Sequence, residues 1–289
     1  MRNKELISNV LSISCVENYF LGWFKELKID YRIFFSKSYI PAVEILTDFL
    51  YNDCKFESYP KIERLMEAAE RYSVTSHKCV TELDLNLVDE NIDDSLVLIE
   101  VNHSFFKSKL TPWRADHYIW LTEKTEESYK YLNNYPLSEG VISATEVLKT
   151  FGGRTLIYKF KTIEVNCSLK DEVKSVFGSI INVENKKLVL NENINLQDLR
   201  NALGILKITR KRLAELFCAA NEYWPELFQY DTEFKTFMEN YCNELSKFYA
   251  VTEAAILRKS FDLTKLQAMV DNILFAESVL SDMVKKRKS

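Results

Sequence analysis

Apolar side chains recur every three or four residues between Val16 and Leu27, which is the spacing of one buried face of an α-helix. Ser14 is followed three residues later by Glu17, and this pair matches the capping box found at many helix starts. The sequence therefore predicts an amphipathic helix that begins at Ser14.

Cys15 falls in the first turn of this predicted helix. Unpaired backbone N–H groups and the helix dipole stabilise an anion there, so we expect the pKa of the Cys15 thiol to be lowered. The thiolate is the nucleophilic form of cysteine. The alternative is that Cys15 is a small buried hydrophobic residue, as many lone cysteines are. Its position alone does not decide, and a base and an orienting group elsewhere in the chain would favour the nucleophile.

The next part of the chain changes from a helical to a strand pattern. Helices are predicted over residues 39–51 and 60–72, each with a proline near its start. Short runs of β-branched and aromatic residues predict strands at 96–101, 117–122, 128–133 and 155–160. Helices followed by a strand meander predict an α+β domain, a helix plus an antiparallel sheet, over residues 1–162.

Residues 163–289 are predicted to form a second, mostly helical domain. A helix is expected over 169–181, and Asn195, Thr232 and Asp262 are expected to cap three longer helices. Apolar stripes in long segments with short breaks predict antiparallel helices of a bundle.

One of these longer helices carries a basic cluster. Lys207, Arg210 and Lys211 have the i, i+3, i+4 spacing that places side chains on one side of a helix. This cluster is interpreted either as an ordinary solvated face or as a docking surface for an acidic partner.

A histidine and an asparagine are predicted to face each other across a β-hairpin. If the turn centres on Thr125, His117 lies directly opposite Asn133, and directly opposed side chains share one face of a sheet. An imidazole so placed can bind an amide oxygen through one nitrogen and activate a thiol through the other. A turn one residue longer would bring Asn134 opposite instead, and a structural polar pair is an alternative to both.

The composition excludes several classes of function. The net charge of −4 gives no basic field for nucleic acid. The six cysteines lie far apart without a Cys-x-x-Cys pair, which is typical of reduced thiols rather than of a disulfide framework or a zinc site. No apolar run predicts a signal peptide or a membrane span. We therefore expect a cytoplasmic protein with no metal and no cofactor.

The order of a thiol on a helix start, a strand histidine and a hairpin asparagine resembles the papain-like fold. More narrowly, it resembles bacteriocin-processing cysteine peptidases and the acyltransferases of butirosin-biosynthesis type, whose N-terminal domain is related to those peptidases. The matching pieces are Cys15 on its amphipathic helix, the segment 116–121 that contains His117, and the segment 129–133 that ends in Asn133. Papain-like enzymes place an oxyanion-stabilising Gln six residues before the nucleophile, and Asn9 occupies that position here.

The resemblance implies a cysteine-dependent acyltransferase of secondary-metabolite biosynthesis. Its catalytic residues would be Cys15, His117 and Asn133, with Asn9 at the oxyanion. It would move an acyl, aminoacyl or peptidyl group from the phosphopantetheine thioester of a carrier protein to a small-molecule amine. The alternatives are a thioesterase or peptidase of the same fold, or a degenerate papain-like domain that only binds a partner.

Overall fold

The computed structural model describes residues 11–56, 58–72, 74–107, 117–134, 137–161, 167–183 and 187–287. The chain divides into two compact units, which we call the sheet unit (Met1–Tyr31 and Arg64–Glu164) and the helical unit (Arg32–Glu63 and Val165–Ser289). The fold is α+β, as the sequence predicted. Among the described residues, no helix is long and apolar enough to span a bilayer.

The secondary structure follows in chain order. The helices are α1 (Cys15–Glu26), α2 (Ala42–Tyr51), α3 (Leu65–Tyr72), α4 (Leu85–Asn91), α5 (Ser104–Lys107), α6 (Ala144–Thr150), α7 (Cys167–Ile181), α8 (Leu196–Tyr223), α9 (Thr232–Arg258) and α10 (Leu263–Arg287). The strands are β1 (Val74–Val80), β2 (Leu96–Val101), β3 (His117–Thr125), β4 (Ser128–Asn134), β5 (Leu137–Ser143) and β6 (Phe151–Phe160). A 3₁₀ helix covers Tyr31–Lys37.

The described strands form one antiparallel sheet in the order β1-β6-β2-β3-β4-β5. Helix α1 packs on one face, where Trp23 meets Trp120 and Phe20 meets Tyr158 in edge-to-face contacts at 5.6 and 4.6 Å. Side chains of β2, β3, β4, β5 and β6 form a separate apolar core on the other face, together with residues of α4, α5 and α6. Because β2 lies inside the sheet and is covered on both faces, all six of its residues are buried and its sequence is a continuous apolar run apart from Glu100.

The local predictions hold best where the sequence pattern is strong. Helix α1 begins at Cys15 with Ser14 as its N-cap, and β2 covers 96–101 as predicted. Strands β1 and β5 were not predicted, since one is largely exposed and the other contains Gly140 and mixed polar residues. Both lie at the edges of the sheet, where the burial pattern that identifies a strand is weakest.

The helical unit contains the long helices α8, α9 and α10, as the apolar stripes predicted. Residues 32–63, which the sequence analysis assigned to the first domain, group with this unit because α2 packs against α8. Its core contains phenylalanine rings in stacked, tilted and edge-to-face contacts, including Phe177, Phe217, Phe228 and Phe234.

A buried ion pair lies at the centre of the helical unit. Arg210 on α8 donates from Nε and Nη2 to the two carboxylate oxygens of Glu277 on α10, at 2.7 and 2.8 Å. Tyr241 and Tyr39 also donate to this carboxylate, at 2.7 and 3.3 Å, and so does the backbone N–H of Ala42 at 3.2 Å. The attraction of Glu277 raises the pKa of Arg210 despite its complete burial.

This pair corrects the interpretation of the basic cluster. Arg210 has no exposed surface, so it cannot belong to a solvated face or to a docking surface with Lys207 and Lys211. The Lys207 ammonium instead lies 4.4 Å from the ring centre of Tyr249. The sequence did not reveal the buried partner, because Glu277 lies 67 residues away on another helix.

Candidate active site

The start of α1, which carries Cys15, is held by two neighbouring side chains. The hydroxyl of Ser14 accepts the backbone N–H of Glu17 at 3.3 Å. The buried Glu17 carboxylate accepts the backbone N–H of Ile13 at 2.6 Å and that of Leu65, the first residue of α3, at 2.8 Å. The capping box is therefore present in a shifted form, since Glu17 reaches one residue before the N-cap.

The Cys15 thiol is half-buried against the first residues of β3. The nearby backbone N–H groups of Tyr118 and Val16 lower the thiol pKa. Burial has the larger effect, however, and raises the pKa of Cys15 above its ordinary value, with a smaller contribution from the charge of Glu100. The expected lowering of the thiol pKa is therefore wrong, because burial of the thiol outweighs the stabilisation that a helix start gives to an anion.

His117 and Asn133 are in direct contact. The Nε2 atom of His117 lies 2.7 Å from Oδ1 of Asn133, and both side chains are buried. Since an amide oxygen only accepts hydrogen bonds, the neutral ring carries its proton on Nε2 and its lone pair on Nδ1. The Asn133 amide nitrogen, 3.5 Å from the hydroxyl of Ser138, fits this orientation. Burial lowers the pKa of His117, although the bond to Asn133 partly offsets this effect.

The contact arises through a different strand register from the predicted one. The turn consists of Glu126 and Glu127. Further from the turn, the pairing of the two strands shifts by one residue between Leu121 and Glu123. The result is that Trp120 lies opposite Leu132. Continuing this register by one residue places Asn133 opposite Ile119, so that Asn133 is a diagonal neighbour of His117. The direct pairing of His117 with Asn133, or with Asn134, is therefore wrong, but diagonal neighbours on one face are still within reach of long side chains.

Strand alternation separates the side chains at the start of β3. Trp120 contacts α1, and Tyr118 shares its face of the sheet. His117 instead shares a face with Ile119, and its ring meets Phe106 edge-on at 5.5 Å. The structure thus brings the Cys15 thiol to the backbone of the residue after His117, whereas the imidazole lies on the face of β3 that does not contact α1.

Tyr19 connects α1 to both strands of the hairpin. Its hydroxyl donates to the carbonyl oxygen of Tyr118 at 2.6 Å and accepts the backbone N–H of Asn134 at 3.2 Å. Tyr19 lies one helical turn after Cys15 and is fully buried, so it fixes the helix start next to the strand that carries His117. Sequence analysis included Tyr19 in the apolar face but missed its hydrogen bonds, which depend on the tertiary structure.

The oxyanion prediction falls on Asn9, which lies outside the described residues. Within them, the backbone N–H groups of Tyr118, Val16 and Cys15 lower the pKa of the thiol. The described residues contain no group of three or more His, Cys, Asp or Glu side chains that could hold a metal ion.

Comparison with known proteins gives no match: no family model matches the chain, and no curated protein matches it at a significant level. The resemblance to papain-like enzymes therefore depends on the order of Cys15, His117 and Asn133 in the sequence.

Proposed function

We propose that this chain is a cysteine-dependent acyltransferase that moves an acyl, aminoacyl or peptidyl group from a carrier-protein thioester to an amine. The observation that carries the proposal is a juxtaposition at the start of β3. There the Tyr19 hydroxyl ties α1, which begins at Cys15, to the backbone of Tyr118 at 2.6 Å, and the preceding residue, His117, is held by Asn133 at 2.7 Å. A nucleophile, a base and an orienting amide are the components of covalent acyl transfer.

In the first half-reaction, Sγ of Cys15 attacks the carbonyl carbon of the thioester. The carbon–sulfur bond to pantetheine breaks, and the thiol proton passes through Nδ1 of His117 to the departing pantetheine sulfur. The amides at the helix start stabilise the oxyanion of the tetrahedral intermediate. In the second half-reaction, an amine attacks the acyl-Cys15, its proton passes through His117, and Cys15 leaves as a thiol.

The pKa shifts at the site favour general-base catalysis over a preformed ion pair. Burial raises the pKa of the Cys15 thiol and lowers that of the His117 imidazole, so both groups are neutral at rest. The proton then leaves the thiol as the new carbon–sulfur bond forms. This step requires the imidazole of His117 to turn from the opposite face of β3, so that Nδ1 reaches Sγ of Cys15.

A second candidate is a papain-like domain that binds its partner without turnover. It is favoured by the position of the imidazole, which lies on the face of β3 that does not contact α1. Hydrolysis by a thioesterase or peptidase differs from transfer only in the acceptor, since water would attack the same acyl-Cys15 intermediate.

The test is turnover of a phosphopantetheinylated carrier protein loaded in turn with acetyl, alanyl and succinyl groups, with and without an added primary amine. Mass spectrometry distinguishes the amide from the free acid. We expect the amide with the wild-type chain and no product with Cys15→Ala, whereas Cys79→Ser, a change at an exposed cysteine, retains activity. Free acid alone would favour the hydrolase, and carrier binding without turnover would favour the binding protein.

A further inference from the structure

The two edges of the sheet differ in how they are protected from pairing with another chain. β1 carries the exposed Lys78, and its pairing with β6 is interrupted by a register shift between Val74 and Ser76. Charged side chains and irregular pairing are the usual means of blunting an edge strand. β5 instead pairs with β4 without a shift, contains neither lysine nor proline, and has Glu139 as its one charged residue. The β5 edge therefore lacks most of the protection that the β1 edge has.

The side chains of β5 also leave apolar surface in contact with solvent. Leu137, Glu139 and Val141 alternate along the strand and so share one face of the sheet. Leu137 is 75% exposed and Val141 is 62% exposed. Among the strands that the structure describes, none pairs with the outer backbone groups of β5. The ligand that fits such an edge is another extended strand, because a strand offers backbone donors and acceptors in the matching series.

The β5 strand is complementary to itself. Antiparallel pairing of two copies about a two-fold axis at Gly140 uses the whole strand and places Glu139 of each copy opposite Val141 of the other. Lys130 lies opposite Val141 in the β4–β5 ladder, so Glu139 of the second copy lies two strand spacings, about 10 Å, from Lys130 on the same face. The Lys130 ammonium has three donors, of which the pair with Glu123 at 2.9 Å uses one. A register centred on Glu139 would instead place two like charges opposite each other, which is unfavourable.

We propose that β5 is a homodimer interface, at which two chains join their sheets by antiparallel pairing about Gly140. The contact is isologous, since the same strand serves both copies, and the assembly closes at two because pairing uses up the β5 edge while the β1 edge is protected. The dimer does not depend on the chemistry proposed for Cys15. It does hold β5 from its outer side next to the candidate site, where the Ser138 hydroxyl lies 3.5 Å from the amide nitrogen of Asn133.

Sedimentation equilibrium of the full chain over a range of concentrations tests this dimer. We expect the mass to rise from 33.9 kDa for one chain to twice that value and no further. Val141→Glu places like charges opposite each other on both sides of the axis and should weaken the dimer about tenfold. The folded monomer accepts this change, because position 141 lies opposite Lys130. Leu257→Glu is the matched control, since it alters an 84% exposed leucine of the helical unit and should leave the dimer unchanged.

A charge reversal makes the test specific for the register. In Glu139→Lys/Val141→Glu, opposite charges again face each other across the axis, so we expect the dimer to be restored. The register centred on Glu139 predicts no rescue, since like charges would still meet at position 139. A chain that is monomeric at every concentration would overturn the proposal, and so would a dimer that Val141→Glu leaves intact or a species larger than two chains. A double variant that stays monomeric while its circular dichroism is that of the folded chain would overturn the pairing about Gly140.

Discussion

Replacement of Tyr19 by phenylalanine tests how the start of α1 is held against the hairpin. The change removes one oxygen atom from a fully buried ring and leaves its apolar contacts with Trp120 in place. It takes away the donor to the carbonyl oxygen of Tyr118 and the acceptor of the Asn134 N–H. Both backbone groups belong to the strands that carry His117 and Asn133.

The size of the effect follows from these two contacts. A buried polar group left without its partner costs about 1–3 kcal/mol. Loss of both contacts to the Tyr19 hydroxyl therefore predicts a decrease of about 2–6 kcal/mol in the free energy of unfolding of the sheet unit. The acylation rate of Cys15 should fall as well, since the same hydroxyl positions α1 next to β3.

Urea denaturation followed by tryptophan fluorescence measures this decrease. In a Trp224→Phe background the signal comes from tryptophans of the sheet unit, such as Trp23 and Trp120. Tyr51→Phe is the matched control, because it also removes one tyrosine hydroxyl, but one that makes a single hydrogen bond, to the carbonyl of Val189, at an exposed site. We expect this control to change stability by less than about 0.5 kcal/mol. A Tyr19→Phe chain as stable as the control would refute the account of how the site is held.

The other predictions concern the ion pair, the orienting amide and the imidazole. Glu277→Ala leaves Arg210 buried without its counter-charge and should lower the free energy of unfolding by about 3–5 kcal/mol. The double variant Arg210→Met/Glu277→Leu should lower it by less, and equal losses of the two variants in urea denaturation would contradict this expectation. Asn133→Ala should reduce the rate of Cys15 acylation more than Asn134→Ala, because of these two residues Asn133 is the one bonded to the imidazole. The acylation rates of the two variants test this, and a larger loss in Asn134→Ala would contradict it. The lowered pKa of His117 predicts an NMR titration midpoint below the ordinary 6.5. The contribution of His117 to stability is then complete above pH 6.5 and is lost as the pH falls through the lower pKa of the folded state. A titration midpoint above 6.5 would exclude a neutral base.

Features with a local cause were accessible from the sequence. The cap of α1, the apolar face that follows Cys15 and the strand at 96–101 depend on residues close together in the chain, and the structure has all three. The long helices of the helical unit were predicted for the same reason.

Features with a tertiary cause were not accessible. The contact of His117 with Asn133 was predicted from the wrong register, because the turn consists of Glu126 and Glu127 and does not centre on Thr125. The sign of the Cys15 pKa shift was wrong because burial outweighs the helix start. Likewise, the partner that buries Arg210 is distant in sequence, and no local pattern could have identified it.

The most direct test of the central claim is the intact mass of the chain after it is mixed with an acyl-pantetheine thioester and quenched in acid. In a Cys79→Ser background, we predict a mass increase of one acyl group, located on Cys15 by peptide mapping. The adduct should be absent in Cys15→Ser, should form much more slowly in His117→Ala, and should disappear when an amine acceptor is added. An unmodified Cys15, or an adduct that forms at the same rate without His117, would contradict the assignment of these residues as nucleophile and base.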